Sequence, residues 1–164
     1  MNPILKEKNS KAYLYSIRLL SRQDYSEYKL TKKLKTSGFS EVEIENAITK
    51  AKEKGYLNEN NYAQLRIKGF MNKNYSMRYI QQKLKQEYVN ISIELIDSIY
   101  KEHGLTEEQQ IMNLIEKKSR TLTSDNKTVD FKKKCKQKLL SYLGCKGHNP
   151  ANSLQIVNQH LNHI

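Results

Sequence analysis

The sequence YSEYKLTKKLKTSGFS, residues 25–40, returns in altered form as YSMRYIQQKLKQEYVNIS, residues 75–92. Each copy begins with a Tyr-Ser pair and carries two aliphatic residues four positions apart. The matched positions, fifty residues apart, are Tyr25 and Tyr75, Ser26 and Ser76, Leu30 and Ile80, and Leu34 and Leu84. The segment after each copy matches at an offset of 52 residues, so the second copy has a two-residue insertion. Such self-similarity is typical of stacked helical repeats, in which neighbours bury what one unit cannot.

Nine segments along the chain carry apolar residues with the spacing of an amphipathic helix. Candidate N-caps precede most of them, and glycines follow several. The predicted caps are Ser26, Ser40 with Glu43, Asn58, Ser76, Ser92 and Thr106 with Gln109, and the predicted helix ends are Gly38, Gly55 and Gly104. The apolar sets include Leu14 in the first helix and Leu65 in the fourth. Residues 121–128 predict a loop, and Pro150 precedes the last helix.

The chain is therefore predicted to be all-α, built from three tandem three-helix repeats. We place the repeats at residues 1–58, 59–104 and 105–164, the third being degenerate. Only 6 glycines and 2 prolines occur in 164 residues, too few for an all-β protein with many tight turns.

The chain is strongly basic, with 29 Lys and Arg against 17 Asp and Glu, a net charge of +12. The excess is spread along the chain: +5 in residues 1–55, +2 in residues 56–105 and +5 in residues 106–164. A polyanion such as nucleic acid is the partner that this charge favours, because neutralising phosphates releases condensed counterions.

Several other classes are disfavoured. Two cysteines and the lack of a signal peptide or a long apolar run predict a cytoplasmic protein with no membrane partner. No phosphate-binding loop of the Gly-x4-Gly-Lys-Ser/Thr type and no cluster of acidic residues occur, so we expect neither ATPase nor nuclease activity, and no cofactor. Cys145, His148, His160 and His163 are zinc-ligand types, but a surface cysteine and terminal histidines explain them more simply.

Eleven basic residues are the candidates for contact with phosphates or with an acidic protein surface. Because Leu30 and Leu34 define the buried side of the second helix, its lysines fall on the opposite side and the flanks. Phe131, Cys135 and Leu139 define the eighth helix in the same way. The candidates are Lys29, Lys32, Lys33, Lys35, Arg66, Lys68, Arg78, Lys85, Lys132, Lys133 and Lys136. Lysine contacts phosphate well but reads base edges poorly, so we expect little sequence specificity.

The 11 tyrosines could stack on nucleic-acid bases. Tyr25 and Tyr75 each precede a predicted N-cap, which favours packing against the helix as a hydrophobic staple.

The motifs Tyr25-Ser26-Glu27-Tyr28, Gly38-Phe39-Ser40 and Gly55-Tyr56-Leu57, followed by Tyr62-Ala63, resemble the RecX family of regulators of the bacterial recombinase RecA. The resemblance covers about residues 10–104 well and the remainder weakly. Lys29 stands where that family often has Glu, and Asn74 where Gly is usual.

The resemblance implies an elongated, curved array of right-handed or superhelical form. It also implies a monomer that binds the filament of RecA on single-stranded DNA, with double-stranded DNA a further candidate partner. Such a protein is expected to suppress ATP hydrolysis, strand exchange and filament growth. The alternative from composition alone is a stand-alone, sequence-nonspecific nucleic-acid-binding protein. A helix-turn-helix reader is disfavoured, because Glu41, Glu43 and Glu45 open the helix that would enter the groove.

Overall fold

The computed structural model describes residues 3–122 and 129–162, and the regular structure in these ranges is entirely helical. The predicted all-α class is confirmed. The helices of these ranges are α1 (Pro3–Leu20), α2 (Glu27–Thr36), α3 (Glu41–Glu53), α4 (Glu59–Met71), α5 (Met77–Gln86), α6 (Ile93–Glu102), α7 (Glu107–Ser119), α8 (Val129–Cys145) and α9 (Pro150–Asn162). Most of the predicted loop at 121–128 lies outside the described residues.

The helix boundaries follow the local signals in the sequence. The Ser40 hydroxyl accepts from the backbone N–H of Glu43, whose carboxylate accepts from the Ser40 N–H, which completes the predicted capping box. Ser26, Asn58, Ser76, Ser92 and Thr106 also cap their helices through the side chain. The glycines predicted at helix ends lie in the left-handed region, as Gly38 does at φ +84°. Local side chains therefore satisfy part of the backbone N–H groups that the start of a helix leaves without partners.

The chain forms two compact units. The first contains the residues up to Arg66 together with Leu84–Asn90, and the second contains Ile67–Lys83 and the residues from Ile91 onward. The division passes through α4 and α5. The three-repeat boundaries stay a prediction.

The core of the first unit is built from α1, α2 and α3, with α1 packed against α3. Leu30 and Leu34 of α2 are fully buried, as the repeat predicted. Tyr25 is buried in the same cluster beside the N-cap of α2. Burial of a leucine side chain contributes about 2 kcal/mol, so this cluster fixes which face of α2 is left to solvent.

A hydrophobic core of the second unit lies where α7, α8 and α9 meet, around Ile111, Leu139 and Val157. A polar network lies at another place in the unit. The Tyr100 hydroxyl donates to the Tyr75 carbonyl at 2.6 Å, and the Gln110 amide donates to the Tyr100 oxygen at 3.3 Å. Burial raises the pKa of Tyr100 to about 12, so this donor stays protonated well above physiological pH.

Two apolar residues predicted to face the core are exposed instead, Leu14 by 61% and Leu65 by 55%. Each helical residue advances by about 100°, so a residue two positions from a buried one faces the other side. Leu65 lies two positions from both Ala63 and Ile67, which are fully buried. Ala12 and Ser16 flank Leu14 in the same way.

Candidate nucleic-acid-binding surfaces

The exposed face of α2 carries three of the predicted lysines, Lys32, Lys33 and Lys35. Burial of Leu30 and Leu34 orients the helix and directs these side chains away from the core. Lys35 pairs with Glu41 at 3.2 Å, and both side chains are largely exposed, so the pair leaves the lysine available to a stronger anion. These lysines therefore spread over the side and flanks of α2 that are left to solvent, a cationic surface that we call the α2 lysine face.

Lys29 and Arg66 are brought together by an acid that the sequence reading did not include, Glu87. The Arg66 guanidinium donates to both oxygens of Glu87, at 2.6 Å and 3.3 Å. Lys29 lies 2.8 Å from the same carboxylate and donates to the Tyr62 hydroxyl at 2.8 Å. The Tyr62 hydroxyl in turn donates to Glu87 at 2.5 Å. These four side chains, all of the first unit, form what we call the Glu87 network.

The pKa values of the Glu87 network show that its charged state is the stable one. Burial would raise the pKa of Glu87, but the hydrogen bonds from Arg66, Lys29 and Tyr62 outweigh it and hold the pKa below the ordinary value of 4.5. Burial would lower the pKa of Lys29, but its bonds to Glu87 and Tyr62 raise it above 10.5. Burial and the bond to Glu87 raise the pKa of Tyr62. Lys29 and Arg66 therefore serve mainly to hold the network together. The network offers a partner a net charge of one positive unit, that of two cations and one carboxylate.

Three further predicted residues come from α4 and α5. Arg78 and Lys85 are exposed, whereas Lys68 is half-buried. Arg78 lines a pocket of about 250 Å³ in the second unit, together with the buried side chains of Gln110 and His148. The structure shows no shared cluster for these three cations within the described residues.

The face of α8 carries Lys132, Lys133 and Lys136, as the burial of Cys135 and Leu139 predicts. Lys133 is exposed, and Lys132 and Lys136 are half-buried. Lys132 donates to the Leu161 carbonyl at 3.4 Å, a bond long enough to exchange for a phosphate oxygen. We call these three residues the α8 lysine face. It is the second unit's counterpart of the lysines on α2.

An exposed aromatic pair was missed by the sequence reading. The rings of Tyr28 and Tyr88 lie 4.3 Å apart with an interplanar angle of 31°. Both residues stand next to members of the Glu87 network in the chain. A signal was present, since Tyr88 occupies the repeat position at which the first copy has Gly38.

Two of the four residues considered as zinc ligands, His148 and His160, have hydrogen-bonding partners within the protein. His148 is buried and its Nε2 lies 2.9 Å from the Asn74 carbonyl, whereas Cys145 is exposed. His160 lies 3.3 Å from the Ser119 hydroxyl. His163 lies outside the described residues. Among those described, no three His, Cys, Asp or Glu side chains are grouped as metal ligands would be. No helix in the described part of the chain has the length and apolarity to cross a membrane.

Comparisons with known proteins show which family this chain is similar to. The family model described as "RecX, first three-helix domain" matches residues 12–50. The chain is similar to the regulatory protein RecX of Haemophilus influenzae Rd, with 29% identity over 134 residues that cover 82% of this chain and 87% of the relative. It is also similar to RecX of Caldanaerobacter subterraneus, with 39% identity over 106 residues, 63% of this chain and 53% of the relative.

The fold agrees with the sequence comparison. The crystal structure of RecX from Lactobacillus salivarius superposes with a TM-score of 0.65 at 21% identity, covering 97% of this chain and 99% of that one. A second RecX crystal structure superposes with a TM-score of 0.69 at 20% identity, covering 94% and 74%. With its all-α fold, a matching first domain and relatives aligned over half or more of their length, this chain is similar to the RecX family of regulatory proteins.

Proposed function

We propose that this protein binds the filament of RecA on single-stranded DNA, as a monomer in the cytoplasm, and inhibits RecA ATPase, strand exchange and filament growth. The observation that carries the proposal is that a chain similar to this regulatory family presents exposed lysines on α2 and half-buried to exposed lysines on α8. A filament repeats both protein and phosphate along its length, so it can be contacted at more than one place by a chain with more than one cationic face.

The helix α3 supports this proposal over a groove-reading regulator. Its first turn carries Glu41 and Glu43, and Glu43 is engaged in the capping box with Ser40. Carboxylates at the leading end of a recognition helix would oppose the phosphates on both sides of a DNA groove. The lysines on α2 lack this conflict, and they favour binding that does not depend on base sequence.

RecA ATPase on single-stranded DNA, titrated with this protein, tests the proposal. We expect strong inhibition at well below one molecule per RecA, because one bound molecule that hinders filament growth affects many RecA subunits. DNA binding by the protein alone is followed in parallel at two salt concentrations. Unchanged ATPase alongside salt-sensitive DNA binding would contradict the proposal and favour the stand-alone nucleic-acid-binding protein.

A further inference from the structure

Tyr88 has a backbone conformation that tyrosine rarely adopts. Its φ is +59°, in the left-handed region. The other described residues with positive φ are Gly38, Gly55, Gly104, Gly147 and Asn74. Glycine has no Cβ to clash there, and asparagine tolerates the region, whereas an aromatic residue is strained.

The internal repeat shows that this position can be filled without strain. In the first copy, the Gly38 N–H donates to the Lys35 carbonyl and the Phe39 N–H to the Leu34 carbonyl. In the second, the Tyr88 N–H donates to the Lys85 carbonyl and the Val89 N–H to the Leu84 carbonyl. The two helix ends are therefore the same motif. A glycine serves in one, and a tyrosine replaces it in the other.

Core packing does not explain the tyrosine. Tyr88 is 69% exposed and Tyr28, the ring it stacks on, is 40% exposed. An exposed pair of rings buries little area, so it contributes less to stability than a buried aromatic residue. A strained residue that is not repaid by burial points to a functional role.

The charges around the pair favour an anionic, planar ligand. Lys32 follows Tyr28 by one helical turn, and Lys85 precedes Tyr88 by three residues at the end of α5; both lysine side chains are exposed. Two of the neighbouring acids are engaged by cations, since Glu87 is bound by Lys29 and Arg66, and Glu27 pairs with Lys52. Two accessible rings with cations beside them are the arrangement used to stack bases while the phosphates are neutralised.

We propose that Tyr28 and Tyr88 form a base-stacking platform for single-stranded nucleic acid, with Lys32 and Lys85 contacting the adjacent phosphates. The proposal rests on the nucleic-acid part of the proposed function and names the residues that carry it. Stacking uses the flat face that every base has, so the platform binds without sequence preference. Both tyrosines and both lysines belong to the first unit, so the site needs no contribution from the second.

The test compares two labelled oligonucleotides of about 20 units, one of thymidylate and one abasic with the same number of phosphates. The wild type is expected to bind the thymidylate strand about tenfold more tightly than the abasic strand. Tyr88→Asn removes the ring and keeps a residue that tolerates the left-handed region, as Asn74 does. We expect this variant, and Tyr28→Leu, to lose the preference for bases and to bind the abasic strand as the wild type does.

Tyr56→Asn is the matched control, because Tyr56 is 56% exposed and is not part of the pair. It should keep the preference. The proposal is overturned if Tyr88→Asn binds thymidylate like the wild type, or if the wild type shows no preference or no binding. If Tyr88→Asn binds naked DNA normally but binds the RecA filament more weakly, the rings serve in protein docking, and this outcome also overturns the proposal. RecA inhibition by the wild type is measured separately, so the platform can fail while the proposed function stands.

Discussion

Glu87 is the residue whose loss should affect the first unit most specifically, because three side chains donate hydrogen bonds to it. Glu87→Gln is expected to lower the free energy of unfolding at pH 7 by about 1–2 kcal/mol. This is below the cost of breaking a fully buried pair, since Lys29 and Arg66 are more than a third exposed. Urea unfolding measures the difference. Glu45→Gln, at an exposed position of α3, is the control and should leave stability unchanged.

The sign of the pH dependence follows from the lowered pKa of Glu87. A carboxyl with a lowered pKa in the folded state stabilises the protein above its ordinary pKa, here 4.5, and this contribution is lost as the pH falls through the folded value. The wild type and the Glu87→Gln variant should therefore converge in stability below pH 4.5. Equal stability of the two proteins at pH 7 would show that the network is energetically neutral.

Tyr88 should contribute little or nothing to stability, and its replacement tests this. The left-handed conformation costs an ordinary residue about 1–2 kcal/mol, whereas an exposed aromatic stack contributes about 0.5–1 kcal/mol. Tyr88→Asn is thus expected to leave the free energy of unfolding unchanged or to raise it by up to about 1 kcal/mol. The mirrored variant Gly38→Tyr, where a Cβ meets no atom within 4 Å, should cost the conformational penalty alone. Marked destabilisation by Tyr88→Asn would mean that the ring supports the fold.

At the residue scale, the sequence could predict which face a lysine occupies but not its partner. The spacing of Leu30 and Leu34 was sufficient to place the lysines of α2. Lys29 meets Glu87 only because the fold brings the start of α2 close to the residue that follows α5, and no local pattern encodes a pair so distant in the chain. Periodicity alone therefore counted Lys29 and Arg66 among the free cations.

Among the six glycines, Gly147, which follows α8, is the most sterically constrained. Gly147 has φ +81°, and a Cβ added there would lie 2.6 Å from the Tyr79 Cβ and 2.8 Å from the Ser76 hydroxyl. Two carbonyls of the same turn accept hydrogen bonds from Ser76: the Lys146 carbonyl from its backbone N–H, and the Gly147 carbonyl from its hydroxyl. The turn between α8 and α9 is in this way attached to the start of α5.

Gly147→Ala is expected to destabilise the second unit by about 3 kcal/mol, because steric overlap adds to the backbone strain. Gly104→Ala is the control, since Gly104 also has positive φ but an added Cβ meets nothing within 4 Å. It should cost about 1 kcal/mol, the conformational part alone. Thermal unfolding of the two variants gives the comparison, and equal losses would show that the contact with Tyr79 relaxes freely.

Helix ends were easier to predict than buried faces. N-caps such as Ser40 and helix-ending glycines such as Gly38 act through atoms within a few residues, so sequence alone identifies them. The buried side of α4 was less determined, because Leu65 and Ile67 are equally apolar and lie on different sides. Which one is buried depends on the partners of the helix, and the sequence pattern did not contain that information.

For the whole molecule, composition predicted a polyanion as partner but not where it binds. The net charge of +12 acts at a distance, whereas binding depends on which cations reach the phosphates. The structure gives two separate candidates, the α2 lysine face in the first unit and the α8 lysine face in the second. The two faces lead to a prediction that compares variants of equal net charge, which differ only in where the lysines have been removed.

Replacing three lysines by glutamine on either face should weaken binding to single-stranded DNA and reduce its dependence on salt. Each lost phosphate contact lowers the slope of log K against log salt by about 0.7, so a triple variant should have a slope shallower by about 2. One triple variant replaces Lys32, Lys33 and Lys35 of α2. The other replaces Lys132, Lys133 and Lys136 of α8. The control replaces the exposed Lys54, Lys73 and Lys117, which lowers the net charge by the same amount.

The slopes separate a located interface from general attraction. Phosphate contacts release counterions only where they form, so the control should keep the wild-type slope and lose only a little affinity through the weaker long-range field. If the control is as weak as the two face variants, the net charge alone explains binding, and neither face is the interface. If only one face variant loses slope, DNA is bound by one unit. The other face is then available to an acidic protein surface. In that case, the variant of that other face should inhibit RecA less than the wild type does.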